Sequence, residues 1–172
     1  MAADVPGVGV EAGRVAQLYA VHIDEAFRIA YLLTGNRQLA EDLAQDGFLR
    51  LMGRLVHLRP SVDFGAYLRR TVVNLVNSHY RRRRVEQRYL QREGGMPPPD
   101  AKGPDLGDRD RMRLALLTLP RRQRTAVVLR YYADLSDRQA AEIMGCRPST
   151  VRALVSRGMA SLRSQVGGSD DQ

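Results

Sequence analysis

The stretch SDRQAAEIMGCRPSTVRALVSRGMASLR, residues 136–163, decides the fold. It opens with Ser136 and, three residues later, Gln139, the spacing of a capping box in which each side chain binds the other residue's amide. Apolar residues then recur at helical spacing, and Gly145 suits the left-handed position that ends a helix. A short turn through Pro148 follows. The stretch therefore predicts two helices joined by a tight turn.

The second of these helices carries small and basic residues on one face. Ser149 is expected to cap it, and its inward positions are apolar. The outward face comprises Ser149, Arg152, Ala153, Ser156 and Arg157. A helix presented in this way fits the major groove of DNA, where an arginine fork binds a guanine or a phosphate. The alternative is an ordinary helical hairpin with a solvated basic face. We favour DNA binding because three features point to it: the capping residues of the two helices, the serine and arginine side chains on the outward face, and the local positive charge.

A longer helix, predicted from about residue 63 to 88, carries a second polar stripe. Its members are separated alternately by three and four residues, which places them on one face. They are Tyr67, Arg70, Asn74, Asn77, Arg81, Arg84 and Arg88. Arginines neutralise phosphates, amides read base edges, and an aromatic ring stacks on an unpaired base. Charge runs are usually solvated faces, but the four arginines at 81–84 have only Glu86 nearby. An external anion such as nucleic acid is therefore favoured.

Charge and composition divide the 172-residue chain into three parts. Residues 1–92 hold 14 basic and nine acidic side chains, residues 93–110 hold two and five, and residues 111–172 hold 11 and five. The middle part is rich in proline and glycine and is interpreted as an acidic linker. We predict a flexible N-terminus at 1–10, helical domains at 11–92 and 109–166, the linker at 93–108, and a flexible tail at 167–172.

The predicted fold class is all-α, with two small helical domains and no sheet. Apolar spacing predicts helices from about 11 to 33, 37 to 55 and 63 to 88 in the first domain. The second of these has a leucine stripe with a period of four that includes Leu39, Leu43 and Gly47. Glycine inside a helix costs about 1 kcal/mol relative to alanine, so we expect a neighbour to pack closely there. In the second domain, a helix at 109–118 precedes one with Pro120 in its first turn.

Composition and charge exclude several classes of protein. The formal net charge is +8, and all 27 basic residues except Lys102 are arginine, which favours a polyanionic partner. Cys146 is the only cysteine and the three histidines are scattered, so no disulfide, metal site or cofactor is predicted. No secretory signal or membrane-length apolar run is present. A soluble cytoplasmic protein is the default expectation.

Together, these motifs resemble the extracytoplasmic-function sigma factors of bacterial RNA polymerase, a group of the sigma-70 class, and most of all a SigE-like actinobacterial subgroup. The resemblance covers roughly residues 12–92 and 109–166. LLTGNRQLAEDLAQDGFLRL (32–51) is similar to the segment that docks on the polymerase clamp. AYLRRTVVN (66–74) with the arginine run resembles the segment that melts and reads the minus-ten element. LPRRQR (119–124) with the helix-turn-helix resembles the domain that reads the minus-thirty-five element.

The resemblance implies a role for each matching position. The clamp interface would include Asp42, Gln45, Asp46 and Phe48. Asn74 would hold a flipped base of the non-template strand, within a melting surface formed by Tyr67, Arg70, Asn74, Asn77, Arg81 and Arg84. The major-groove positions would be Ser149, Arg152, Ala153, Ser156 and Arg157. Tyr67 stands where the family usually has tryptophan, so its stacking area is smaller. The implied partners are promoter DNA and the clamp and flap regions of core RNA polymerase, with an anti-sigma factor as a further candidate.

Two other functions remain open from the sequence. A stand-alone repressor or activator with a helix-turn-helix would bind its promoter tightly without polymerase and would usually be a dimer. No ligand pocket or dimerisation helix after residue 163 is evident, which weighs against it. An enzyme such as a recombinase would use metal-bound carboxylates, for which Glu41, Asp42 and Asp46 are the only tight acidic cluster. They lie on one helix beside Arg50, so a solvated or partner-facing surface is favoured, and no catalytic residue is assigned.

Overall fold

The computed structural model of the chain describes residues 8–53, 63–92 and 108–167. Within these ranges the chain is helical and forms no strand, which confirms the all-α prediction. The elements are α1 (Val8–Thr34), α2 (Arg37–Met52), α3 (Phe64–Arg92), α4 (Asp108–Thr118), α5 (Arg121–Val127), a π-helical turn (Val128–Tyr132), α6 (Asp137–Met144) and α7 (Pro148–Gly167). Apart from the helix ends at 8–10, 108 and 167, the predicted linker and flexible termini lie outside the described residues.

The first domain is a bundle of α1, α2 and α3 around an aliphatic core. Its fully buried side chains include Ile29 of α1 and Leu68 and Val72 of α3. These positions recur every three or four residues, so each helix turns one apolar stripe inward and leaves the opposite face polar. α1 begins three residues before its predicted start, and α2 ends at Met52, before the predicted 55.

The core-facing side of α2 differs from the predicted leucine stripe. The buried positions of this helix are Ala40, Ala44, Gly47, Phe48 and Leu51. Leu39 and Leu43 are only half-buried. Because α2 packs against both α1 and α3, small residues line the side of closest approach. A methyl group on Gly47 would lie 3.0 Å from Val72 Cγ2, which confirms the close packing expected at this glycine.

Side-chain caps fix where α2 and α3 begin. The Asn36 side chain accepts a hydrogen bond from the Leu39 amide at 3.0 Å. The Asp63 side chain accepts one from the Ala66 amide at 3.0 Å. Between α1 and α2, Gly35 has a φ of +69°, a conformation that glycine adopts without steric strain. This tight turn sets the angle between α1 and α2.

The second domain packs α4 to α7 around a core that includes Leu129 and Val151. The helix that starts at Arg121 changes to a π-helical turn at Val128, where the Ala133 amide donates to the Val128 carbonyl at 3.1 Å. A π-helical turn contains about one more residue than an α-helical turn. The apolar spacing of a five-residue segment is too short to reveal this difference, so the sequence did not predict the π-helical turn. Pro120 is the residue before α5 and does not lie in its first turn.

The helix-turn-helix forms as predicted at its first helix and differs at the second. The Ser136 side chain accepts from the Gln139 amide at 3.2 Å, and the Gln139 side chain accepts from the Ser136 amide at 2.9 Å, so the capping box is confirmed. Gly145 has a φ of +61° at the end of α6. The prediction that Ser149 caps the second helix is wrong. α7 already begins at Pro148, and the Arg147 carbonyl accepts its first helical hydrogen bonds.

The two domains pack against each other through one buried arginine. Arg124 of α5 is 7% exposed, and its Nη1 donates across the interface to the Leu33 carbonyl oxygen at 2.6 Å. Within its own domain it donates to the carbonyl oxygens of Leu116, Leu117 and Leu119 at 2.9, 2.6 and 3.1 Å. The Leu33 oxygen lies in the last turn of α1, where carbonyls lack helical partners and cationic donors are favourable.

A second set of contacts surrounds the same end of α1. The side chain of Leu117 lies over Gly35, so that a methyl group on this glycine would stand 2.5 Å from the leucine Cδ1. Arg113 Nη1 donates to the Gly35 carbonyl at 3.2 Å. α6 also contacts α3. The second domain is therefore docked on the turn between α1 and α2.

Candidate nucleic-acid interface

The predicted melting surface is an exposed stripe along α3. Tyr67, Arg70, Asn74, Asn77, Arg81 and Arg84 are all exposed. The opposite side of the helix is anchored by buried Leu68, Val72 and Val76. Since the apolar side is fixed in the core, the polar side presents its groups to the outside in a defined order. Tyr67 is 47% exposed, so one part of its ring is open to an additional stacking partner.

The arginine run on α3 is a concentrated positive charge. Arg81, Arg82 and Arg84 are exposed and form no ion pair with any residue that the structure describes. Burial, together with the charges of Arg83 and Arg82, lowers the pKa of His79 on the same helix, and Glu86 only partly opposes this. Unbalanced like charges destabilise a helix, so an external anion would be bound favourably here.

Arg69, next to the predicted stripe, has a structural role that the sequence analysis missed. Its Nη1 lies 3.2 Å from Glu25 Oε2 on α1, and its Nη2 lies 3.8 Å from Asp63 Oδ2. The side chain is only 16% exposed. Arg69 therefore joins α3 to α1 and is not available to DNA in the way that exposed Arg70 is. The two arginines are adjacent in sequence, but successive residues of a helix face different directions, so Arg69 faces α1 and Arg70 faces solvent.

The recognition face of α7 is exposed at four of its five predicted positions. Ser149, Arg152, Ser156 and Arg157 are exposed, and Ala153 is half-buried. Val151 and Gly158 are buried on the other side, where a methyl group on Gly158 would meet Val127 Cγ2 at 2.8 Å. Close contact with α5 thus holds α7 in place and leaves the face formed by Ser149, Arg152, Ser156 and Arg157 open to solvent.

One acidic residue lies beside this basic face. Asp137, the first residue of α6, has its Oδ1 2.8 Å from Arg130 Nε and its Oδ2 3.9 Å from Arg152 Nε. Arg130 also donates to the Leu135 carbonyl. The sequence analysis did not single out Asp137, because it lies 15 positions from Arg152 and its contact depends on the angle between α6 and α7.

Of the four predicted polymerase-binding residues on α2, three lie at the surface or partly exposed and one is buried. Asp42 and Gln45 are exposed, and Asp46 is half-buried. Phe48 is 4% exposed and packs its ring against Tyr19 and Phe64, with centroids 5.0 and 5.6 Å apart. We correct that prediction, because an apolar ring enclosed by two others is a core residue and has no surface to offer a partner.

Leu49 takes the surface position that the sequence analysis gave to Phe48. Its side chain is 68% exposed. With Asp42, Gln45 and Asp46 it occupies positions i, i+3, i+4 and i+7, which share one face of a helix. The sequence did contain a signal for this exposed position, because Leu49 is apolar and lies outside the predicted inward stripe of α2.

Two of the three acidic side chains of α2 are paired with arginines on the same helix. Glu41 pairs with Arg37 at 3.0 Å and Asp46 pairs with Arg50 at 2.9 Å. The hydrogen bond and the charge of Asp46 raise the pKa of Arg50. Among the residues that the structure describes, no three His, Cys, Asp or Glu side chains group as metal ligands do. The carboxylates are arranged as solvated ion pairs.

α6 stands beside the N-terminal end of the α3 stripe. Tyr67 and Arg70 line one wall of an open cleft of about 230 Å³, and Gln139, Glu142 and Ile143 line the other. The cleft is the junction between the two domains. A base stacked on the outer side of Tyr67 would have to share this space with α6.

No described helix is long and apolar enough to cross a membrane. Comparison with known families identifies both domains. Residues 18–86 match the family described as sigma-70 region 2, and residues 109–162 match the family described as sigma-70 region 4. The melting surface lies in the first match and the helix-turn-helix in the second.

Two curated relatives align with most of this chain. The ECF RNA polymerase sigma factor EcfG of Rhodopseudomonas palustris is 32% identical over 161 residues, which is 90% of this chain and 86% of the relative. The ECF sigma factor SigE of Mycolicibacterium smegmatis is also 32% identical over 87% of this chain, and the chain spans 60% of that relative's length.

Two solved structures have the same fold. The sigma factor RpoE from Bartonella quintana, in complex with the anti-sigma factor NepR, is 25% identical with a TM-score of 0.72, covering 91% of this chain and 98% of that one. CnrH, in complex with the cytosolic domain of CnrY, has a TM-score of 0.67 at 22% identity, covering 91% and 89%, and supports the fold alone. The two family matches and the relatives agree: this chain belongs to the extracytoplasmic-function sigma factors of RNA polymerase.

Proposed function

We propose that this sigma factor directs core RNA polymerase to promoters by touching DNA with two surfaces at once, one on α3 and one on α7. The observation that carries the proposal is a pair of exposed basic faces on separate domains, each held rigid by a buried apolar side. In this mechanism the chain performs no covalent chemistry. It supplies binding energy that makes strand opening favourable at a chosen sequence.

The α7 surface would bind the upstream, minus-thirty-five element in the major groove. Arg152 and Arg157 present guanidinium forks that bind a guanine in two places or a backbone phosphate. Ser149 and Ser156 are small and polar and allow close approach, and half-buried Ala153 contributes little contact area. One good two-point base contact discriminates by about 1–3 kcal/mol.

The α3 surface would capture an unpaired base at the minus-ten element. Unpairing and flipping a base costs a few kcal/mol, and stacking on an aromatic ring returns about 1–3 kcal/mol per base. Tyr67 supplies the ring and Asn74 an amide that reads the flipped base. Arg70 and the run at 81–84 neutralise phosphates, with Asn77 between them. Without polymerase, the free energy gained by stacking the flipped base roughly equals the free energy spent on unpairing it.

The α2 surface would face the polymerase clamp. We include Leu49 with Asp42, Gln45 and Asp46, because it is an exposed apolar residue on the same face of α2. The second domain would face the flap region.

An anti-sigma factor is a further candidate partner. The similar solved structure from Bartonella quintana is a sigma factor in complex with the anti-sigma factor NepR. An inhibitor of this kind would act by covering the surfaces proposed above for polymerase and DNA.

The docked arrangement predicts that the free chain binds DNA weakly. α6 stands beside Tyr67 and Arg70, so a strand that reaches this end of the stripe must displace it. The buried contacts of Arg124 and Leu117 oppose that displacement. Binding to polymerase would supply the energy that separates the domains and sets the promoter spacing.

The test is reconstitution of the full chain with core RNA polymerase on a library of promoters. Run-off transcripts that require the chain support the proposal. Nanomolar binding to DNA without polymerase, combined with no transcription when polymerase is added, would instead support a stand-alone regulator.

Two variants test the assigned surfaces. Asn74→Ala is expected to impair opening about tenfold or more, the size of one lost polar contact to a base, while polymerase binding is unchanged. Arg152→Ala is expected to weaken upstream recognition. Gln17→Ala and Arg14→Ala, which remove an exposed amide and an exposed arginine from α1, are the matched controls. If both site variants transcribe as the controls do, the assignments are wrong.

A further inference from the structure

We infer that Asp137 is a positioning residue for Arg152 and helps to set the sequence specificity of the α7 surface. The inference rests on the proposed function of that surface. It starts from a carboxylate that faces two arginines from two other elements, half-buried Arg130 and the exposed Arg152 of the predicted DNA contact.

The position of Asp137 is fixed by its surroundings. It is the first residue of α6 and is anchored by an arginine of the preceding π-helical turn. Its Oδ1 forms a 2.8 Å ion pair with Arg130, and the exposed fractions of the two side chains are 29% and 32%. Arg130 is held in turn by the Leu135 carbonyl. The carboxylate is therefore anchored on one oxygen, and its other oxygen is directed toward α7.

Arg152 meets this second oxygen with its Nε. The distance of 3.9 Å is within ion-pair range and longer than a hydrogen bond, and the Arg152 side chain is 69% exposed. A guanidinium carries its five N–H groups in a planar fork. When the edge that contains Nε faces a carboxylate, the two terminal nitrogens are left to face a guanine. The pair thus selects the arginine rotamer that suits base readout.

The negative charge of Asp137 also disfavours the binding of Arg152 to backbone phosphates. An arginine that is free to turn binds any nearby phosphate, which contributes affinity without sequence information. A carboxylate beside Arg152 attracts it away from the backbone and repels phosphates. Specificity is a difference between two affinities, and this arrangement lowers the nonspecific one.

The test measures promoter discrimination with core polymerase and the full chain. A template selected from the library is compared with templates that carry single substitutions in the upstream element. Asp137→Asn is expected to reduce discrimination roughly two- to fivefold, the size expected for a partly exposed ion pair, at the same base pair that Arg152→Ala relaxes. Total activity on the selected template falls less than the discrimination does.

Two controls separate positioning from stability. Ser136→Ala weakens the start of the same helix but keeps the carboxylate, and Glu142→Gln removes an exposed carboxylate of α6 that pairs with Arg138 instead. Neither is expected to alter discrimination. In the Arg152→Ala background, Asp137→Asn is expected to have no further effect on promoter discrimination. Asp137→Glu in the parent chain is expected to retain most of the discrimination.

The outcomes divide cleanly. A loss of discrimination that persists in the Arg152→Ala background, or that Ser136→Ala reproduces, overturns the inference and leaves Asp137 as a structural partner of Arg130. Unchanged discrimination in Asp137→Asn overturns it as well. Absence of transcription with the parent chain on every template refutes the proposed function itself, a result distinct from these.

Discussion

Arg124→Met is expected to destabilise the folded chain by a large amount. The arginine donates four hydrogen bonds to carbonyl oxygens from a position that is 7% exposed, and one of the four crosses to the first domain. Methionine fills most of the same volume but donates nothing. The substitution therefore separates the polar contribution of the side chain from its packing.

The magnitude follows from two opposing effects. Four hydrogen bonds at a net value of about 1 kcal/mol each contribute about 4 kcal/mol. Burial lowers the pKa of Arg124, which shows that holding its charge inside the protein has a cost, and removing the charge recovers part of it. The Leu116 oxygen also keeps a second donor, the Leu119 amide at 3.1 Å. We expect a net loss of about 2–4 kcal/mol in the free energy of unfolding.

The assay is urea unfolding followed by far-ultraviolet circular dichroism, with Arg122→Met as the control. Arg122 lies two residues away on the same helix and is exposed. Its substitution is expected to change the unfolding free energy by less than about 0.5 kcal/mol. A loss below about 1 kcal/mol for Arg124→Met, or equal losses for the two variants, would refute the reasoning about the buried arginine.

Three further variants test other parts of the structure. Gly158→Ala places a methyl group 2.8 Å from Val127 Cγ2 and should lower the unfolding free energy by about 1–3 kcal/mol in urea titrations; an unchanged midpoint would show that α5 and α7 separate easily. Ser136→Ala removes the cap of α6 and should cost about 1 kcal/mol in the same assay, with Ser164→Ala unchanged. His79→Gln should reduce the loss of stability on acidification. The pKa of His79 is lowered in the folded chain, so the unfolded chain takes up the proton first as the pH falls below about 6.5; identical pH profiles for the two chains would contradict this.

The sequence predicted most of the helices and the chemistry of both faces. Three features depend only on neighbouring residues: the cap at Ser136, the left-handed Gly145 and the regular spacing from Tyr67 to Arg84. Because tertiary packing does not alter such local features, they could be predicted from the sequence. The stripe and the recognition face are accordingly exposed. Their roles in promoter binding stay predictions until the variants are measured.

What the sequence did not predict depends on contacts between distant segments. The resemblance implied that Phe48 lies at the clamp interface, and the sequence does not reveal that Tyr19 and Phe64 enclose its ring. Arg69 and Arg70 look alike in sequence, yet only the first finds Glu25. The approach of Asp137 to Arg152 requires the angle between two helices.

The most direct measurement of the central claim is permanganate reactivity of the minus-ten thymines, read together with protection of the upstream element on the same promoter. Because both surfaces must engage one promoter, reactivity and upstream protection are expected together only when chain and core polymerase are both present. Asn74→Ala should lose the reactivity and keep the protection, and Arg152→Ala should weaken the protection. Strong upstream protection by the chain alone, with no reactive thymines when polymerase is added, would contradict the claim that both surfaces engage one promoter at once.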